Sequence, residues 1–139
     1  MHANNEIGTI QPIDQLAQIA REHHIPFHTD AAQSCGKIPI DVKNTGIDLL
    51  SVAGHKLYAP KGIGVLYVKA GLQLEKIMHG ADHERNMRPG TENVLEIAGL
   101  GKACEIAQRD LSINQETMKT SRDLLYNTLK QSIPTIHLN

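Results

Sequence analysis

The sequence has little aromatic content: no tryptophan, one phenylalanine and three tyrosines, 3% of 139 residues. Its core must therefore be aliphatic. Cysteine is scarce too; Cys35 and Cys104 alone do not make a disulfide framework. No charge of one sign dominates, since 14 basic and 15 acidic residues give a net charge of −1 and a pI near 6.7. That balance offers no basic surface for nucleic acid. No apolar run approaches the roughly 18 residues needed to span a bilayer, so no membrane association is expected. A charged region, apolar stretch and cleavage site do not occur in that order at the start. A reducing cytoplasm is the expected location. Internal repeats and low-complexity tracts are absent. What remains, 40% hydrophobic and 21% charged residues, suits one compact domain with a real core.

The ends read as cut. The chain opens on the polar loop His2-Ala3-Asn4-Asn5-Glu6 without an apolar strand before it, and closes on Ile133 to Asn139, an alternating pattern that predicts a strand just beginning. This predicts the middle portion of a longer protein, although Met1 would also serve as a start. Between the ends, Pro12 sits where a first-turn proline is tolerated, and Ile13, Leu16, Ala17 and Ala20 recur at helical spacing to about His23. A strand over 25–30 follows, then strands over 48–53 and 62–68, the last apolar enough for burial on both faces. Helix–strand alternation with short connections predicts an α/β fold, a mostly parallel sheet with covering helices. Residues 70–91 look irregular, broken by Gly71, Gly80, Pro89 and Gly90. Thr91 is placed to cap a helix over about 92–108, and a second helix is predicted over about 114–131.

Two residues invite a chemical reading. Lys56 lies in the loop Gly54-His55-Lys56-Leu57-Tyr58-Ala59-Pro60-Lys61 between two strands. An exposed lysine, with a pKa near 10.4, is neutral in only about one molecule in two thousand at pH 7. Desolvation would favour the free, nucleophilic amine; taken alone, the residue reads as an ordinary solvated lysine. Asp30 ends a strand, where ligands of α/β sheets gather. A carboxylate there can pair with a protonated pyridine nitrogen, worth roughly 1 kcal/mol in water and about 4 at an effective dielectric near 20. Taken alone, it reads as a cap of the Ala31-Ala32-Gln33 turn.

The combined pattern goes further. His28-Thr29-Asp30-Ala31-Ala32-Gln33-Ser34 and Ser51-Val52-Ala53-Gly54-His55-Lys56-Leu57-Tyr58-Ala59-Pro60-Lys61-Gly62 closely resemble the class V aminotransferase family. Met1 to Gly8, His79 to Arg85 and Met87 to Asn93 resemble, within it, the cysteine desulfurases and their selenocysteine lyase relatives. The resemblance covers essentially the whole chain, about a third of a complete member. It implies a pyridoxal 5'-phosphate enzyme of fold type I, with 1–111 as the end of the cofactor-binding large domain and 112–139 as the start of the small domain.

Position by position, the resemblance implies that Asn5 contacts the cofactor near its phenolic side and Gln33 hydrogen-bonds the phenolic oxygen. It makes Asp30 the partner of the ring nitrogen and His55 a phosphate ligand. Lys56 carries the Schiff base, and Thr91 reaches the phosphate of the neighbouring subunit in a homodimer. Ala53 departs from the family, where many members have a phosphate-contacting serine. The implied reaction takes sulfur from L-cysteine as a persulfide and leaves alanine, with a sulfur-acceptor or scaffold protein, such as one serving iron–sulfur assembly, downstream. The phosphate-cupping turn and ring-stacking histidine are expected before Met1, and the persulfide cysteine and carboxylate-binding arginine beyond Asn139. The chain alone is therefore expected to be inactive and to hold the cofactor weakly. Neither Cys35 nor Cys104 matches the persulfide cysteine, and packing is their expected use.

Other readings are weaker. His79 and His83 have the i, i+4 spacing of a helical zinc pair, but Gly80 argues against a helix and no third ligand is obvious; no metal is expected. No Gly-x-x-x-x-Gly-Lys-Ser/Thr sequence supports a nucleotide triphosphatase. Selenocysteine lyase activity, or a truncated remnant without catalysis of its own, stays open.

Overall fold

A computed structural model describes residues 1–138. Its elements are α1 (Ile13–Glu22), β1 (His28–Asp30), α2 (Val42–Thr45), β2 (Leu49–Ala53), a 3-10 turn (Gly54–Leu57), β3 (Gly64–Val68), α3 (His83–Asn86), α4 (Val94–Arg109) and α5 (Leu111–Ser132). Helical spacing in α1 puts Ile13 and Ala17 on one face, and both are buried, while Leu16 lies at the edge of that face and is partly exposed.

The sheet has the order β1-β2-β3. β1 runs parallel to β2, with His28 beside Leu49, Thr29 beside Leu50 and Asp30 beside Ser51. β3 is antiparallel to β2, so the sheet among the described residues is mixed rather than mostly parallel. Connection length explains the difference. A parallel return needs about a dozen residues or more; residues 31–48 supply them between β1 and β2. Residues 54–63 are taken up by the 3-10 turn and a tight return, which leaves room only for a reversal.

Thr29 and Leu50 point inward from adjacent strands. Leu50 joins Ile13, Ala31 and Ile47 in one buried cluster, and Leu57, Ala59 and Leu100 form a second. Cys35 and Val52 pack against both and so join them. Beside the first cluster, the Asp48 carboxylate accepts bonds from the backbone N–H of Phe27 at 3.0 Å and the Lys69 ammonium at 2.9 Å. Those bonds, the Phe27 one foremost, hold its carboxyl below the usual range.

Several sequence expectations shift for identifiable reasons. β1 starts at His28 rather than Ile25, because Pro26 has no N–H to give and the Phe27 N–H is taken by Asp48. α4 is capped by Asn93, whose Oδ1 accepts from Glu96 N at 3.3 Å, not by Thr91. α4 and α5 are separated by Asp110 alone, since Asp110 donates to Ile106 O and accepts from Asn114 N, each at 2.9 Å. The apolar run of β3 predicts cover on both faces. Instead Val65 is 46% and Leu66 52% exposed, because no described element lies over them. The strand predicted from Ile133 is not formed among the described residues: Ile133 N still bonds Leu129 O, and Lys130 Nζ is held by Pro134 O and Ile136 O. Asn139 lies outside the described residues.

Candidate functional site

Parallel pairing makes β1 and β2 end on the same side of the sheet. Asp30 closes β1 beside Ser51, while β2 continues two residues to Ala53 and passes into the 3-10 turn that carries His55 and Lys56. Each functional side chain is exposed on a backbone whose neighbours are buried. Thr29 and Ala31 flank Asp30 at 3% and 0% exposure, and Gly54 and Leu57 flank His55 and Lys56. Gly54 has to be glycine here: a Cβ would stand 2.7 Å from the Ile63 carbonyl oxygen and 2.8 Å from its Cγ2. Its N–H donates to that same carbonyl at 3.0 Å. Tyr58 ends the turn in the left-handed region, φ +63°, with its side chain fully exposed. A non-glycine residue there costs about 1–2 kcal/mol, which the packing of Leu57 and Ala59 on either side offsets.

The turn after Asp30 is pressed against the Lys56 turn. Ala31 N donates to Ser51 O at 2.9 Å, and Ser34 and Cys35 N–H groups both return to Ala31 O. Gly36, at φ +74°, has no room for a Cβ, which would overlap the Leu57 side chain and approach Ala107 to 3.1 Å. Lys37 Nζ then donates to Gln33 O at 3.1 Å. Burial lowers the Lys37 pKa, the nearby positive charge of Lys56 lowers it further, and Cys35 opposes both. The Cys35 thiol is pushed up, first by burial and then by Cys104. Packing accounts for Cys35, as expected; Cys104 is exposed on α4 instead.

Asp30 itself plays the capping part that its position allowed: its Oδ1 accepts from Ala32 N at 2.8 Å. The other oxygen has no hydrogen-bond partner among the described residues, so capping and ligand binding do not compete. One end of the sheet thus presents a carboxylate from one strand, two potential cations from the next, and a half-buried amide, Gln33, in the turn beside the carboxylate. That donor and acceptor set fits a phosphorylated pyridine: an anion for the ring nitrogen, a cation for the phosphate and an amine for the carbonyl.

Asn5 and Thr91 stand apart. Asn5 is exposed on a loop shaped by Asn4, whose Oδ1 accepts from Glu6 N at 2.9 Å and Ile7 N at 3.0 Å. That loop is tied to the site by the backbone, since His2 N donates to Asp30 O at 2.7 Å. Thr91 is exposed just before the Asn93 cap. No hydrogen bond or ion pair joins either side chain to Asp30, Gln33, His55 or Lys56 among the described residues. Three residues at the site carried no role in the sequence reading: Lys37, His28 and Ser51. The imidazole Nε2 of His28 lies 2.8 Å from Ser51 Oγ. Strand alternation, which puts His28 on the Asp30 face, is the one sequence signal that marks it. Among the described residues, no group of three or more His, Cys, Asp or Glu side chains is placed to hold a metal, and no helix is long and apolar enough to cross a membrane.

Comparison with known proteins bears on the family. The aminotransferase class-V family profile matches residues 1–139. Cysteine desulfurase IscS of Dictyoglomus turgidum is 47% identical over all 139 residues, which correspond to 35% of that protein. The cysteine desulfurase IscS of Methanosarcina thermophila is 50% identical over the same span, 34% of its length. The chain therefore spans about a third of these relatives. Among solved structures, a NifS-like protein from Rickettsia africae superposes with a TM-score of 0.89 at 35% identity, over 94% of this chain and 36% of that one. A structure of SspA in complex with cysteine superposes at 0.71 with 52% identity, over 75% and 30%.

Proposed function

The chain belongs to the class V aminotransferase family, whose members depend on pyridoxal phosphate, and from that premise we propose that it supplies the cofactor-anchoring segment of a cysteine desulfurase. The observation that carries this reading is the shared strand end, since β1 closes on Asp30 at the same edge of the sheet from which β2 passes into the turn carrying His55 and Lys56. The SspA structure with cysteine, 52% identical over the matched part, supports L-cysteine as substrate.

When bound, the cofactor supplies an electron sink for the carbanion formed at the substrate's α-carbon. The residues of this chain do the rest of what falls to them. Asp30, with one oxygen held by Ala32 N and the other without a hydrogen-bond partner among the described residues, would pair with the ring nitrogen and favour its protonated form. Gln33 would donate to the phenolic oxygen, and Asn5 would contact the cofactor near its phenolic side. His55 binds phosphate. Lys56 would hold the cofactor and, once freed by the substrate amine, would move protons at the substrate's α and later carbons. Sulfur then passes to a cysteine thiol, giving a persulfide and L-alanine from L-cysteine. Thr91, exposed ahead of α4, serves the partner's phosphate in a homodimer, with residues 1–111 in the large domain and 112–139 opening the small one. A cytoplasmic site of action and transfer to an acceptor or scaffold protein, as in iron–sulfur assembly, complete the reading.

Borohydride reduction of the complete, cofactor-loaded protein, followed by peptide mapping, tests it. The reduced adduct is expected on Lys56, and Lys56→Ala should abolish both the adduct and its absorbance band while the protein stays folded. A folded Lys56→Ala protein that kept the same reducible adduct would overturn the assignment. Comparing turnover of cysteine with that of selenocysteine decides between desulfurase and selenocysteine lyase.

A further inference from the structure

We infer that His28 and Ser51 together form a positioning clamp for Asp30. The inference deepens the proposed function and rests on Asp30 being the partner of the ring nitrogen. It starts from register. In the parallel pair His28 lies beside Leu49 and Asp30 beside Ser51, so the His28 side chain must lean forward by two residues to bring Nε2 within 2.8 Å of Ser51 Oγ. His28 and Asp30 share one face of β1, because side chains two apart on a strand do. The leaning ring therefore crosses from β1 to β2 on the Asp30 face, alongside the carboxylate and on its side away from the strand end.

β1 is only three residues long. Its end is fixed from the other face by the buried Thr29 and from above by the Ala32 N–H on Asp30 Oδ1. On the Asp30 face, the His28–Ser51 bond is a side-chain link between the two strands. It holds the strands at one separation where one of them supplies the carboxylate and the other leads to the lysine. A loss of either partner would let Asp30 explore orientations in which its free oxygen no longer meets the ring nitrogen. Positions 51 and 53 share this face too, and only Ser51 carries a hydroxyl; Ala53 has none to offer in its place.

The test uses His28→Ala, Ser51→Ala, the double variant and His28→Gln in the complete protein. Cofactor labelled with 15N at the ring nitrogen reports the charge on that atom. Each single variant should move this signal toward the neutral position and speed cofactor release roughly tenfold. The double variant should do no more than either single one, and the amide of His28→Gln should restore most of both signals. A merely structural role would lower unfolding midpoints without moving the nitrogen signal. An unmoved signal in both single variants, with the cofactor on Lys56, overturns the clamp. In cofactor-free protein, the 13C signal of the Asp30 carboxyl should shift in both single variants, and an unmoved signal there also overturns it. A reduced adduct on another lysine would instead sink the functional reading, while the Asp30 carbon signal still decides the clamp.

Discussion

The end of the sheet and the α5 helix both display many exposed side chains, but for opposite reasons. At the sheet end, exposed and buried residues alternate: Thr29 in, Asp30 out, Ala31 in; Gly54 in, His55 and Lys56 out, Leu57 in. The exposed groups there stand on backbone that is locked on both sides. α5 extends for 22 residues without one buried side chain, with Leu124 67% and Leu125 61% exposed. Its clearest tie to the rest is Gln115 Nε2, which donates to Lys37 O at 2.8 Å. Exposure over a fixed framework presents chemistry, whereas exposure along a thinly anchored helix only leaves apolar surface uncovered.

Truncation at matched apolar positions should expose that contrast most strongly. Ile47→Ala, at a fully buried position, should cost about 2–5 kcal/mol, whereas Leu124→Ala should stay within about 0.5 kcal/mol. Urea denaturation of both variants measures the difference, and equal losses would break the comparison. A smaller effect is expected where the framework is tight rather than deep. Gly54→Ala should lose about 1–3 kcal/mol through overpacking against Ile63, and it should reduce cofactor attachment at Lys56 in the same samples. Unchanged stability would mean that the Lys56 turn is looser than its contacts indicate.

The smallest effect belongs to Asp48. Its folded pKa is depressed by the Phe27 N–H and Lys69. Its contribution is therefore fully present above its ordinary value of 3.8 and is lost as pH falls through the depressed folded value. With Lys69 half exposed, the loss should stay below about 1 kcal/mol. Thermal unfolding followed from about pH 5 down to about pH 2 should show this acid limb, and Asp48→Asn should flatten it. An identical limb in that variant would assign acid sensitivity to other carboxylates.

Much of this was legible in the sequence, though unevenly. Helix spacing found α1, and the short apolar run ending in Asp30 found β1 with its polar terminus in the right place. The resemblance named Asp30, Gln33, His55 and Lys56, and the structure sets Asp30 and the Lys56 turn at one sheet end. Pairing direction was not legible: the apolar stretch of β3 reads alike whether it runs parallel or antiparallel, and only the shortness of the 54–63 return decides. The cap of α4 was misplaced by two residues because Thr91 and Asn93 are both good caps, and only geometry chooses Asn93. The Gly36 contact with Leu57 and the His28 bond to Ser51 join residues about twenty apart, so no local pattern could reveal them.

The pairing of β1 with β2 has a consequence for how this segment can vary. Side chains on a strand alternate strictly, so adding or removing one residue between Phe27 and Asp30 would invert the whole strand. Thr29 would be turned to water and the carboxylate into the oily interior, beside Ile47 and Leu50. Changes in length are therefore intolerable in those few positions, and substitution is the only variation they permit. The irregular stretch between Lys69 and Glu92 carries no such parity, and that is where insertions should accumulate among natural variants.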